Sequence, residues 1–250
     1  MSYYLKYLEN PDTTIANDAF AEFANAQYKD VAALKKEMSP EKLRSWIGNK
    51  DVPQTRLGLY GMMLGLCGQD QDAKLLEKKI TENTDEFRLG IDGIMGGYLL
   101  LTKDQGLSVI ENSKFVDSKV PFSETFAAMQ AIRFIWTYGD GTISPDRLRQ
   151  SMRMLLERPE LTDLVIADLA RWKDWSIMSK LMGMYGQGAF DIPSIKRAIV
   201  RYMLVCSKDI PKEKDAKPGP HVALARKNLE ELRAADQKTV SEAERFYISP

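Results

Sequence analysis

The densest group of side chains that could do chemistry is Asp168-Leu169-Ala170-Arg171-Trp172-Lys173-Asp174-Trp175. Two tryptophans stand three residues apart, interleaved with two aspartates, an arginine and a lysine. Such a set suits recognition better than turnover, because Trp and Arg dominate the residues that anchor protein interfaces. Arg171, Trp172, Asp174 and Trp175 are therefore the candidate binding residues. A purely structural reading competes with this one. In it the tryptophans plug a corner between two helices, and Arg171 pairs with Asp168 one turn back.

Catalytic sets are sparse. His221 is the single histidine of the chain, so a Ser–His–Asp set or a His-rich metal site would have to be built on it alone. It follows a Pro-rich stretch, where a solvated helix start is expected. The paired carboxylates Asp85/Glu86 and Glu230/Glu231 read as helix-start electrostatics and an exposed helical face. Gly186-Gln187-Gly188 has no preceding strand and no third glycine, which makes it a turn and not a phosphate loop. Cys67 and Cys206 each sit near the end of an apolar run and read as free, buried thiols. No catalytic residue, metal-ligand set or cofactor is assigned.

Lys plus Arg and Asp plus Glu both number 35. That balance argues against a nucleic-acid protein, whose affinity would come from a basic surface. It also leaves no polybasic patch for a membrane surface. Arg56, Arg88, Asp92, Arg133, Arg197 and Arg201 lie in or beside apolar segments. A ladder of paired charges between successive helices is expected, with Arg88 and Asp92 at the i, i+4 spacing of a local pair. An arginine-lined groove for an acidic peptide or phosphate is the alternative.

The elements that must position these residues are organised around RLGLYGMMLGLCG at Arg56–Gly68 and its echo RLGIDGIMGG at Arg88–Gly97. Arg, Leu, Gly, Gly, Met and Gly recur at a constant offset of 32 residues. Self-similarity at such a period marks stacked helical hairpins. Glycine inside a helix costs about 1 kcal/mol relative to Ala, so several in one segment need a compensating gain. Gly58, Gly61, Gly65 and Gly68 fall on one helical face, and a face without side chains lets a neighbouring helix come unusually close. The small-xxx-small pattern also occurs in membrane dimers. Here the apolar run is too short to span a bilayer and contains Asp92, so no membrane insertion is expected.

Apolar spacing is helical throughout, with no period-2 run bounded by turn signals. Cap signals such as Asp12, Ser39-Pro40, Ser144-Pro145 and Ile192-Pro193 open successive helices. Thr84-Asp85-Glu86 reads as the opening of the echo helix, and Thr239–Tyr247 as the last helix. Hairpins start near residues 11, 53, 84, 121, 159 and 193. The expectation is an all-α fold, a right-handed α/α superhelix of about six hairpins, in a single domain over 1–250. A polar, Pro-rich loop at 207–220 precedes a C-terminal helical pair.

The segments RLGLYG, GYLLLT, VPFSETFAAMQAIRF, RPELTDLVIADLARWKDW and FDIPSIKRAIVRY resemble a group of bacterial HEAT-repeat-like α-solenoid proteins that carry no assigned activity. The resemblance spans nearly the whole chain. It implies an armadillo-type fold and a parent protein that is exported, and it transfers no site residue. MSYYLKYLEN lacks the features of a signal peptide, and the chain reads as a fragment of a longer one.

The functional expectation is a non-enzymatic protein-interaction or scaffold module with a protein or peptide partner. An α/α-toroid enzyme is an alternative, and it would need clustered acids in a central cavity. A purely structural spacer in an exported protein is another.

Overall fold

The computed structural model describes residues 1–82, 87–211 and 217–245. Among them every regular element is helical, in agreement with the absence of period-2 patterning. Two compact units are distinguished along the chain, Met1–Ser151 and Met152–Pro250.

The first unit contains α1 (Ser2–Leu5), α2 (Thr13–Ala24), α3 (Tyr28–Ala32), α4 (Pro40–Gly48), α5 (Gln54–Cys67), α6 (Asp70–Thr81), α7 (Ile91–Thr102), α8 (Asp104–Ile110) and α9 (Phe122–Tyr138). A π-helical turn, Glu111–Phe115, extends α8. Asp12 caps α2 through the backbone amides of Thr14 and Ile15, and Ser39 caps α4 ahead of Pro40. Gln69 and Asp72 form a reciprocal capping box at the start of α6.

The seam between α5 and α7 follows from the glycines. Gly58 lies against Gly90, and Gly65 against Gly97. A Cβ built on Gly93 would stand 2.3 Å from the Gly58 carbonyl oxygen, and one on Gly61 would stand 2.7 Å from the Ile94 Cα. Contacts advance in the same direction along both helices, so α5 and α7 run parallel, with backbones touching where side chains would normally separate them. Tyr60, Met63, Leu64, Met95 and Leu99 fill the core beside the seam. α9 continues the layer parallel to α7: Arg88 meets Glu124 near one end, and Gly96 packs on Phe134 farther along.

The start of α7 differs from the sequence expectation. Thr84, Asp85 and Glu86 lie outside the described residues, and the helix begins at Ile91 after Gly90, which takes a left-handed φ of 77°. Arg88 therefore precedes the helix, and the i, i+4 rule does not apply to it. Its guanidinium turns to Glu124 and to the carbonyls of Lys79 and Ile80, and Asp92 is exposed. Arg56 is buried and bonds the Leu8 carbonyl at 3.1 Å, Glu9 at 2.7 Å and Asn17 at 2.6 Å.

The boundary between the units falls within α10 (Pro145–Met154). The second unit continues with α11 (Pro159–Arg171), α12 (Met178–Met184), α13 (Pro193–Ser207), α14 (Pro220–Ala235) and α15 (Gln237–Arg245). Short 3-10 turns, Trp175–Ile177 and Gly188–Phe190, break the connections. Gly186 and Gly188 have φ of 68° and 51°, so GQG is a turn held by glycine's tolerance of positive φ. α13 is the central element, with α11, α14 and α15 packed around it. Of the 207–220 loop, residues 212–216 lie outside the described residues, as do residues 246–250, on which the expected helix end at Tyr247 falls.

Candidate functional site

The turn singled out by its tryptophans connects α11 to α12. Asp168, at the end of α11, is buried and holds Arg171 at 3.1 Å, while the Arg171 side chain is 73% exposed. Trp172 is only 3% exposed and faces the core. Lys173 takes a φ of 55°, and this left-handed step reverses the chain so that Trp175 comes back over α13. Asp174 is buried, caps the following 3-10 turn through Ser176, and accepts two bonds from Arg153 at 2.6 and 2.9 Å. Its backbone carbonyl accepts from the Tyr202 hydroxyl. Of the four candidates, Trp172 and Asp174 are thus buried, Trp175 is half-buried and Arg171 alone is exposed.

Around Trp175 the structure assembles a cluster that sequence spacing does not reveal. Asp209, just beyond α13, accepts from Trp175 Nε1 at 2.7 Å and Lys173 Nζ at 2.7 Å. His221 Nε2 lies 3.2 Å from the same carboxylate. The imidazole stacks on the indole with centroids 6.0 Å apart, and Tyr202 meets that indole edge-on at 5.3 Å. His221 does open α14, but it is half-buried and engaged, unlike the solvated start expected of it. The reason is the neighbouring carboxylate and indole, both distant in sequence.

This cluster is built to hold segments together. Burial opposes ionisation of Asp209, yet the Lys173 and Trp175 hydrogen bonds outweigh it and keep its pKa below the ordinary aspartate range. Burial pushes the Cys206 thiol up to about 12, and its Sγ sits 3.6 Å from the His221 backbone carbonyl. Burial likewise raises the Tyr202 phenol far above its usual value. A buried, protonated thiol and phenol are poor nucleophiles. Both cysteines are free thiols, Cys206 buried and Cys67 half-buried.

In the first unit the layer of α5, α7 and α9 exposes a second surface. α9 buries Ala128, Met129, Ala131, Ile132 and Ile135, and its outer arc carries Phe122, Phe126, Phe134 and Tyr138. Phe122 is 48% exposed and Tyr138 45%. Phe122 stacks on Phe126 at 5.6 Å, and Tyr28 of α3 reaches across to Phe134 and Tyr138. Beside Phe134 a depression of about 90 Å³ is lined by Met62, Asp92, Gly93, Gly96 and Gln130. No group of three or more His, Cys, Asp or Glu among the described residues is placed to hold a metal ion. No described helix is long and apolar enough to cross a membrane.

No family model matches the chain, and no curated protein or solved structure shows detectable similarity to it.

Proposed function

We propose that this chain is a non-catalytic protein-interaction module of HEAT-like, right-handed α-solenoid type. The observation that carries the reading is the outer arc of α9. Four of the five aromatic side chains of α9 stand on that arc while its opposite side is committed to the core, and two of the four are nearly half exposed. Aromatic residues on a rigid helical layer are the usual anchors of protein interfaces, since they bury much area with little loss of side-chain freedom. The seam supports the solenoid reading, because parallel helices separated by a returning helix are what stacked hairpins produce. In the second unit Arg171 and Trp175 offer a smaller recognition patch.

The test is capture from an extract of the source cells with the wild-type chain beside a Phe122→Ser/Phe126→Ser variant. Circular dichroism and thermal melting establish that both are folded. A specific protein retained by wild type and lost by the folded variant is the expected result. Equal retention by both refutes the α9 surface. Absence of any specific partner leaves the spacer role as the better account.

A further inference from the structure

The first unit contains a larger concavity, set apart from the α9 surface. It opens where α5 and α7 begin and where α4 and α6 end, and its volume is about 460 Å³. That size lies within the range of small-ligand sites, which are mostly apolar with a few placed polar groups. The floor is apolar, formed by Ile47, Val52, Leu57, Ile91 and Ile94. Lys50, Lys79, Arg88 and Glu82 supply the charge of its lining.

The charges decide what fits. Arg88 is held by Glu124, which is also bonded to Lys114, and by two main-chain carbonyls. It therefore serves as a wall of fixed position. Among the described lining residues, Lys50 and Lys79 stand with only the carboxylate of Glu82 as counter-charge, so positive charge is in excess there. Gln54 and Ile91, the first residues of two parallel helices, also line the space. Neither helix has a side-chain cap at this end, and the partial positive charge of both termini adds to the lysines' field.

We infer that this cleft binds a carboxylate carried on an apolar chain, with the chain on the Ile47–Leu57–Ile94 floor and the carboxylate between Lys50 and Lys79. A free medium-chain fatty acid and the C-terminal residue of an apolar peptide share that chemistry. The inference does not rest on the partner-docking surface of α9 and is separable from it.

Titration calorimetry on the full chain tests it with octanoate, octanol and octylamine as probes. Octanoate is expected to bind saturably, octanol at least tenfold more weakly, and octylamine without saturation. A Lys50→Ala/Lys79→Ala variant should lose octanoate binding by at least tenfold. Lys74→Ala/Lys78→Ala, which removes the same charge from exposed positions of α6, should keep it. A hexapeptide ending in a free leucine carboxylate, compared with its amide, separates the two sources: tighter binding of the peptide acid than of octanoate assigns the site to a chain terminus. Octanol binding as tightly as octanoate, unchanged affinity in the Lys50/Lys79 variant, or no saturable binding of any carboxylate probe would overturn the inference.

Discussion

Gly97 of α7 faces the carbonyl of Gly61 on α5 so closely that a Cβ on Gly97 would lie 1.9 Å from that oxygen. No side chain larger than hydrogen fits there without separating the helices. The same holds at Gly93 against Gly58 and at Gly65 against Gly97. The echoed segments thus pack on each other. The layer they form places both the aromatic arc of α9 and the cleft at the start of α5 and α7.

Arg56 joins α5 to the N-terminal segment through Leu8, Glu9 and Asn17, and the Tyr60 hydroxyl donates to Glu9 at 2.5 Å. Arg56→Met removes the cation and leaves Glu9 and a buried carbonyl without it. A loss of about 3 kcal/mol is expected from removing one partner of a largely buried pair. Tyr60→Phe keeps the packing and should cost about 1 kcal/mol. Urea denaturation of both variants checks the order.

Acid should loosen the first unit through Glu124. Burial opposes its ionisation, but hydrogen bonds from Arg88 and Lys114 outweigh that and hold its pKa below the glutamate range. Glu111 behaves alike, with burial overcome by Arg147 and Ser151. A depressed folded pKa gives stabilisation that is complete above the unfolded value, about 4.3, and is lost as pH falls through the folded one. The melting temperature should drop on going from pH 6 to pH 3, and the drop should be smaller in Glu124→Gln. An equal drop in that variant would assign the acid sensitivity elsewhere.

The two tryptophans of the α11–α12 turn should separate cleanly. Trp172 is buried, and Trp172→Ala should cost about 3–5 kcal/mol, as large core truncations do. Trp175→Phe keeps an aromatic ring over His221 and removes only the Nε1 bond to Asp209. Asp209 retains Lys173 and His221, so a loss of about 1–1.5 kcal/mol is expected. Chemical denaturation of each variant gives both numbers.

Neither thiol should behave as a nucleophile in the native state. Burial pushes Cys67 up to about 11 and Cys206 up to about 12. At pH 8 alkylation by iodoacetamide should run at least about a hundredfold slower than in the urea-unfolded chain, whose thiols have ordinary pKa values. Native rates close to the unfolded ones would contradict this.

The helical class was legible because amphipathic spacing and cap residues act locally, as Asp12, Ser39 and Pro193 do. The glycine face of α5 was legible too, since a costly residue repeated on one face signals close approach. The start of α7 was not, because the left-handed turn at Gly90 is a choice of backbone angle within a run that is apolar on either side. The Asp209 cluster was hidden for a different reason. Its donors stand 12, 34 and 36 residues away, and only the fold of α11, α13 and α14 brings them to one carboxylate. The cleft is assembled from the ends of four helices, and no local pattern marks it.

The seam is tested most directly by two glycine substitutions of opposite expected sign, measured by urea denaturation. Gly183 of α12 has open space where a Cβ would stand, so Gly183→Ala should gain about 0.5–1 kcal/mol from helix propensity. Gly97→Ala gains the same propensity but forces the new methyl into the Gly61 carbonyl. It should lose at least about 2 kcal/mol net, in the range of overpacked cores. That reversal of sign is the predicted result. A Gly97→Ala variant as stable as wild type would contradict the backbone-to-backbone packing of α5 and α7, and with it the layer on which both proposed surfaces depend.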